Sequence, residues 1–547
     1  MVIPMEKKNY IIRSKAVYDG VSEEYKEMAI LIQGDRIAEI LPWNVESSGK
    51  YAEIPLYDYG DRLIMPSFVD AHTHIFSGAI AASDYVCSDL GMCRSEEECV
   101  EMIKKYADSH PDLKRIRGIG WFVGNWTDDH LPDKRSLDKV LPDIPVYLQC
   151  ADAHSMWLNT KALNEAGIQP DPDLPNGVIE TFPDGSLTGM LIEPAAYQPA
   201  MDRYMEFTEE ELLDIYRNFQ KVLAKNGVSA LSEMFADDYT IDTYNRYGLL
   251  KMLDENEGLN ANVYVYTKMF GCKDYNAFHE MKQYFNSKHF HIAGLKGFID
   301  GVTETYTGLL LEPYTDKPET CGDGLPLWPE EKMKDEIIRA NREGLQVRLH
   351  CIADGSVRMA LNMYEKSRNI NGKSDVRNTV EHIENIHPED MGRFAELDVI
   401  ASMQPYHLTL SNNDKIIRIG AQRCRYEWPI RSILEKGAKI AIGTDFPVVE
   451  LNPFKTIYAA LTRKDDDGIP TGHNPWETLD IYSVLKAYTA GAAYLYHAEK
   501  EIGSIETGKY ANMIVLSKNI LKEDPEEILR TEVSANIFEG NLIYQSR

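Results

Sequence analysis

The chain has 547 residues, more than a single hydrophobic core usually serves, and it reads as one large domain with a smaller one. Its 44% hydrophobic and 26% charged residues are the composition of a globular protein. The 58 basic and 86 acidic residues leave a net charge of −28, which argues against nucleic acid or an anionic membrane as partner.

Met1 to Ala16 carries no long apolar core and no small-residue cleavage pattern, so no signal peptide is expected. No run approaches the length of a membrane span. Tyr10 to Val17, Met28 to Ile40 with a Gly34-Asp35 turn, and Tyr57 to Ile64 alternate apolar and polar residues and predict a small antiparallel sheet. Met513 to Leu516, Glu532 to Phe538 and Leu542 to Tyr544 predict matching strands at the other end, the last two joined at Glu539-Gly540-Asn541. Both ends therefore predict one β-sandwich, residues 1–65 with 500–547.

The apolar run Leu63 to Pro66 reads as the start of a buried strand that ends at Phe68-Val69-Asp70-Ala71-His72-Thr73-His74. Two histidines one residue apart on a strand share a face and can hold one metal ion. Seven further strands follow, at 227–231, 261–266, 295–299, 345–350, 378–382, 398–403 and 439–443, separated by helical stretches. Eight strands alternating with helices predict a closed α/β barrel of the TIM type over 66–499. Residues 76–226 are too many for one crossover and predict an inserted lid, with strand-like pieces at Arg117 to Phe122 and Pro145 to Gln149. The eight cysteines contain no Cys-x-x-Cys pair, and Cys87, Cys93 and Cys99 have neither knuckle nor redox spacing; thiols in a reducing cytoplasm are expected.

Polar residues recur mostly at the C-terminal ends of these strands: His72 and His74 on the first, Lys296 on the fourth, His350 on the fifth, His382 on the sixth and Asp445 just past the eighth. In a barrel those ends converge on one face. His289 and His291 form a second His-x-His, but in a polar stretch before the fourth strand, at its wrong end, and read as structural.

These residues resemble the metal-dependent amidohydrolase superfamily. Asp70-Ala71-His72-Thr73-His74, His350, His382 and Gly443-Thr444-Asp445-Phe446-Pro447-Val448 carry the likeness. It is most detailed for the amidohydrolase family 3 branch, which includes N-substituted formamide deformylases, through Gly118 to Trp121, Asp152 to Asn159, Lys296 to Gly301, His350 to Asp354, Met403 to His407 and Gly503 to Lys509. The resemblance implies that His72, His74 and Asp445 bind one divalent metal and that His350 and His382 bind a second. Lys296 would bridge the two as a carboxylated lysine, the alternative being an ordinary lysine paired to an acid. Zinc is the implied cofactor, one or two ions per chain. The implied reaction is hydrolysis of a C–N bond in an amide, formamide or cyclic amide by a metal-activated hydroxide, with Asp445 moving the proton.

Trp121, His154, Glu193 and His407 are candidate substrate contacts; core packing for Trp121 and Trp157, and simple hydrogen bonding for His154 and His407, are the competing readings. The chain departs from the family pattern at Asn512, where an Asp is usual, and at Phe446, where a Trp is usual. A deaminase on the same fold is the second reading. Many deaminases have His-x-x-Glu at the fifth strand, and here His350 is followed by Cys351-Ile352-Ala353. A scaffold that has lost its metals is the third; such relatives usually lose ligands, and these histidines and Asp445 are all present. The expected partner is a small-molecule substrate, and a homo-oligomer is compatible with the sequence.

Overall fold

The computed structural model describes residues 9–45, 49–127, 130–151, 154–322, 325–410 and 414–546. The first eight residues, read above as part of a segment without a signal, and Asp152 and Ala153 of a family motif lie outside them. The chain forms two compact units, Met1–Ile75 with Gln220–Arg547, and Phe76–Phe219.

In the first unit, eight parallel strands run in chain order around a barrel: Phe68–Asp70, Val228–Glu233, Asn262–Lys268, Phe290–Phe298, Val347–Cys351, Thr379–His382, Ile400–Met403 and Lys439–Ile442. The seam between first and last closes through backbone bonds, Ala71 N–H to Ile442 O at 3.0 Å and His74 N–H to Phe446 O at 2.8 Å. Strands buried on both faces need near-continuous apolar or small residues. Val228 to Glu233 is buried at every position, as are Thr379 to His382 and Ile400 to Met403. Helices connect the strands and have ordinary caps: Thr240 accepts from Thr243 N–H ahead of Ile241–Asn256, and Asn452 accepts from Phe454 N–H ahead of Pro453–Thr462.

The two chain ends join in one eight-stranded hydrogen-bonded sheet. Its middle is Met513–Leu516 lying antiparallel to both Leu63–Pro66 and Val533–Phe538. Alternate residues of its strands enter separate cores: Tyr10, Ile12, Ile30 and Ile32 in one, Ile11, Ala29 and Leu31 in the other.

Three strand readings are corrected. Leu63–Pro66 belongs to the end sheet and not to the barrel; after Ser67 the chain changes sheets. The first barrel strand stops at Asp70, so His72 and His74 lie just beyond it, held by the seam bonds and by the Thr73–Phe446 bridge. The fourth strand begins at Phe290 and so includes His291.

The second unit is built on a five-stranded sheet, in the order Val178–Thr181, Leu187–Ile192, Ser155–Leu158, Val146–Cys150, Ile116–Trp121. The last two run parallel and the other pairs antiparallel. Its core gathers Trp121, Trp126 and Trp157 with Cys87, Cys93, Cys99 and Cys150.

Candidate active site

Asp445 is the hub of the barrel mouth. Its Oδ1 lies 2.9 Å from His74 Nε2 and 3.5 Å from His72 Nε2. Its Oδ2 lies 3.8 Å from His382 Nδ1 and 3.7 Å from His407 Nε2. Two triads with ligand atoms within 4.8 Å of one another share it: His72, His74 and Asp445, and His382, His407 and Asp445. The rings of His382 and His350 lie 4.5 Å apart, and those of His382 and His72 4.7 Å apart. Lys296, 1% exposed, comes from the fourth strand. The structure thus brings together His72, His74, His382, Asp445 and His407, with the His350 ring edge-on to that of His382.

The backbone is shaped for this. His382, Ile383 and Asp445 have φ of 73°, 57° and 62°, a left-handed region that non-glycine residues rarely occupy. On a regular strand Glu381 and His382 would face opposite ways. The turn at His382 breaks that alternation, and both residues reach the cluster.

Three of the imidazoles are oriented from behind. Glu381 Oε2 takes His72 Nδ1 at 2.7 Å, leaving Nε2 on the Asp445 side. Glu381 Oε1 accepts from Arg348 Nε at 2.7 Å, and Arg348 Nη2 donates to Ala71 O at 2.6 Å, all fully buried. Gln404 Oε1 lies 2.9 Å from His382 Nδ1, and His350 Nε2 lies 3.3 Å from Gly301 O. Asp70 accepts from Thr444 N–H and hydroxyl and from His72 N–H, tying the first strand to the Asp445 loop. Sequence reasoning missed Arg348, Glu381 and the role of Gln404. A charged pair on neighbouring buried strands, Arg348 and Glu381, was the available signal.

Electrostatics give a donor set suited to a cation. Burial, reinforced by Lys296, lowers His72 to about 4 and His350 to about 3. Burial and then the neighbouring histidines hold His382 well below its ordinary value. These rings are therefore neutral at pH 7 and able to ligate. Burial works to raise Asp445, but His72, His74 and His382 hold it well below the usual carboxylate range, so it is ionised. Burial lowers the Lys296 amine to about 8. Among the described residues, His72 Nε2, His407 Nε2 and Lys296 Nζ are buried without a hydrogen-bond partner. Inward-facing donors left this way are costly unless something outside the chain meets them. Neutral imidazoles and an ionised carboxylate fit a divalent metal.

The remaining candidates lie in the second unit. Trp121 is 1% exposed, donates Nε1–H to Leu148 O and packs on Trp126 and Trp157. His154 Nδ1 lies 3.0 Å from Glu193 Oε2, both exposed. In the first unit His289 bridges Asp254 at 2.6 Å and Glu539 at 3.1 Å, and His291 stacks on Tyr264.

Comparison with known proteins agrees with this geometry. The family described as "Amidohydrolase family" matches residues 56–544. The protein LONG AFTER FAR-RED 3 of Arabidopsis thaliana is 28% identical over 88% of this chain and 82% of its own length. The N-substituted formamide deformylase of Arthrobacter pascens is 23% identical over 94% of this chain and 95% of its own. The crystal structure of an uncharacterized metal-dependent hydrolase from Pyrococcus horikoshii shares the fold, with a TM-score of 0.76 at 22% identity, covering 94% of this chain and 99% of that one. With that match over nearly the whole chain, and an eight-stranded parallel barrel beneath the histidines, the protein belongs to the amidohydrolase family.

Proposed function

We propose that the barrel mouth hydrolyses a C–N bond of a small amide, formamide or cyclic amide. In this reading His72, His74 and Asp445 would hold one zinc ion, His350 and His382 would hold a second, and Lys296, if carboxylated, would serve both. The observation that carries it is the convergence of His72, His74 and His382 on ionised Asp445, with His72 Nε2 buried and without a hydrogen-bond partner among the described residues. The metals, when bound, lower the pKa of a water and polarise the substrate carbonyl.

The chain supplies the rest. Asp445 accepts the water's proton and returns it to the departing nitrogen. Its Oδ2 also faces His407, which we assign to the substrate side, where its Nε2 can donate to a substrate oxygen. His154 and Glu193 stay in the proposal as substrate contacts, and Trp121 is assigned to core packing. Three facts support carboxylation of Lys296: it is buried, it has no acid as hydrogen-bond partner among the described residues, and its amine is lowered to about 8. A bare ammonium there would repel two cations, whereas a carbamate attracts them. No disulfide joins cysteines among the described residues, which is compatible with the cytoplasm as compartment. No helix among the described residues is long and apolar enough to cross a membrane.

The test pairs metal analysis of protein purified without chelator with a panel of N-formyl and N-acyl amines. One or two zinc ions per chain that depend on His72 and His74, and release of free amine, are expected; no metal lost on His72→Ala, and none restorable by zinc, overturns the reading. Asp445→Asn should keep the fold and lose about 10²–10⁴-fold in turnover, because an amide cannot take the proton. Activity retained within about tenfold, a barrier change of ~1.4 kcal/mol, would assign the base elsewhere.

A further inference from the structure

A second group of metal-ligand side chains stands in the first unit, outside the set around Asp445. Cys424 ends the helix Asp414–Cys424, Glu427 sits in the turn after it, and His473 lies in the loop beyond the helix Pro453–Thr462. One ligand atom from each lies within 4.8 Å of the others. Cys424 and Glu427 are 0% exposed and His473 is half-buried. His473 Nδ1 lies 3.0 Å from Glu427 Oε1, and the His473 backbone N–H donates to the same oxygen.

Glu427 Oε2 is buried with no hydrogen-bond partner among the described residues. Two cations lie near and neither meets it. Arg463 donates to Trp428 O at 3.3 Å, to Glu427 O at 3.5 Å and to Asn474, and its Nε is also unpaired. Lys415 Nζ goes to Glu384 at 2.9 Å. A carboxylate only accepts, so a bare buried oxygen calls for a cation or a donor from outside the chain. The loop is also fitted to the contact. Gly472 has φ of +72°, and a Cβ there would stand 2.7 Å from Glu427 Oε1, so a larger residue would push His473 away.

We propose that Cys424, Glu427 and His473 form a structural zinc site, separate from the catalytic metals, with solvent completing the coordination. Thiolate, imidazole and carboxylate together suit zinc; magnesium and calcium prefer oxygen alone. On binding, the Cys424 thiol gives its proton to solvent and a sulfur–zinc bond forms. Thiolate and carboxylate then balance the two positive charges of the ion. Glu427 pairs through its backbone with Asn385, and Trp428 N–H donates to Glu384 O at 3.0 Å. The ion would therefore fasten the loops after the sixth, seventh and eighth strands, the first of which begins at His382.

Cobalt substitution tests this. A cobalt–thiolate bond gives a near-ultraviolet charge-transfer band that imidazole and carboxylate ligands do not. The cobalt-loaded protein should show the band, Asp445→Asn should keep it, and Cys424→Ser should lose it. Zinc content should fall by one ion per chain in both Cys424→Ser and His473→Ala. If Cys424→Ser does not fold, His473→Ala, on a half-exposed loop, decides through the zinc count and a shifted or weakened band. Absence of the band in the cobalt-loaded protein, its survival in Cys424→Ser, or an unchanged zinc count in His473→Ala overturns the site and leaves a buried water as the partner of Glu427.

Discussion

Lys296 and Glu381 occupy the same interior and face opposite problems. Lys296 is a cation with no counter-charge in hydrogen-bonding contact, whereas Glu381 is an anion clamped between Arg348 and His72. For Lys296 the sign follows from its lowered value. The bare amine titrates near 8 in the folded protein and at 10.5 as an ordinary lysine. The metal-free, uncarboxylated protein should therefore gain stability as pH rises from about 8 toward 10.5 and lose that gain as pH falls back through 8. Chemical denaturation across that range measures it, and Lys296→Met should remove the slope. Only the neutral amine adds carbon dioxide. At fixed dissolved carbon dioxide, the rate of carbamate formation should rise with pH and level off above about 8, read by the build-up of the carbon NMR signal of labelled carbamate. A rise continuing to 10.5 would mark an ordinary lysine. Glu381→Gln should act twice. It strands the buried Arg348 charge, costing about 3–5 kcal/mol in denaturation, and it loosens His72, weakening metal binding about 10–100-fold in a zinc titration.

At the scale of elements, the barrel strands were legible because each is a short apolar run bounded by Gly, Asn or charged residues, as in Gly227 to Leu231 and Lys439 to Gly443. Their ligand-type side chains were legible because six of them fell near strand ends. The placement of His72 and His74 was not. Their spacing imitates a strand, but the positions are set by the seam with Ile442 and Phe446, a pairing remote in sequence. Three strands of the second unit escaped as well: Val178–Thr181 is mostly exposed and carries Glu and Thr, so it has no buried face to announce it. Arg348 and Glu381 look like surface charges until the fifth and sixth strands are set side by side. The seam yields its own prediction. A Cβ on Gly443 would stand 2.4 Å from His72 N and 2.8 Å from Asp70 Oδ1. Gly443→Ala should destabilise by about 1–3 kcal/mol through overpacking, and it should lower zinc content as well as the melting temperature, because the displaced backbone is that of His72, a ligand in the proposed site.

For the whole molecule, the chain ends matter more to the site than their distance in sequence suggests. Removing residues 518–547 takes away Val533–Phe538 and Asn541–Gln545 and leaves Met513–Leu516 as a bare hydrophobic edge. It also removes Glu539 from His289 and Lys288. The truncated protein should aggregate on size exclusion and melt below any of the point variants, as expected of an unprotected edge strand. The joint at Ser67 carries this further. Pro66 is paired in the end sheet, Phe68 in the barrel, and Ser67 N–H is itself held by Asn512 O at 3.2 Å, so one residue of slack separates the two sheets and His72 hangs five residues beyond Ser67. The end sheet then works as a fuse. On heating, the metal should leave at the temperature where that sheet parts, while the barrel strands still give their circular dichroism, and a zinc-release dye should report the break before the barrel does.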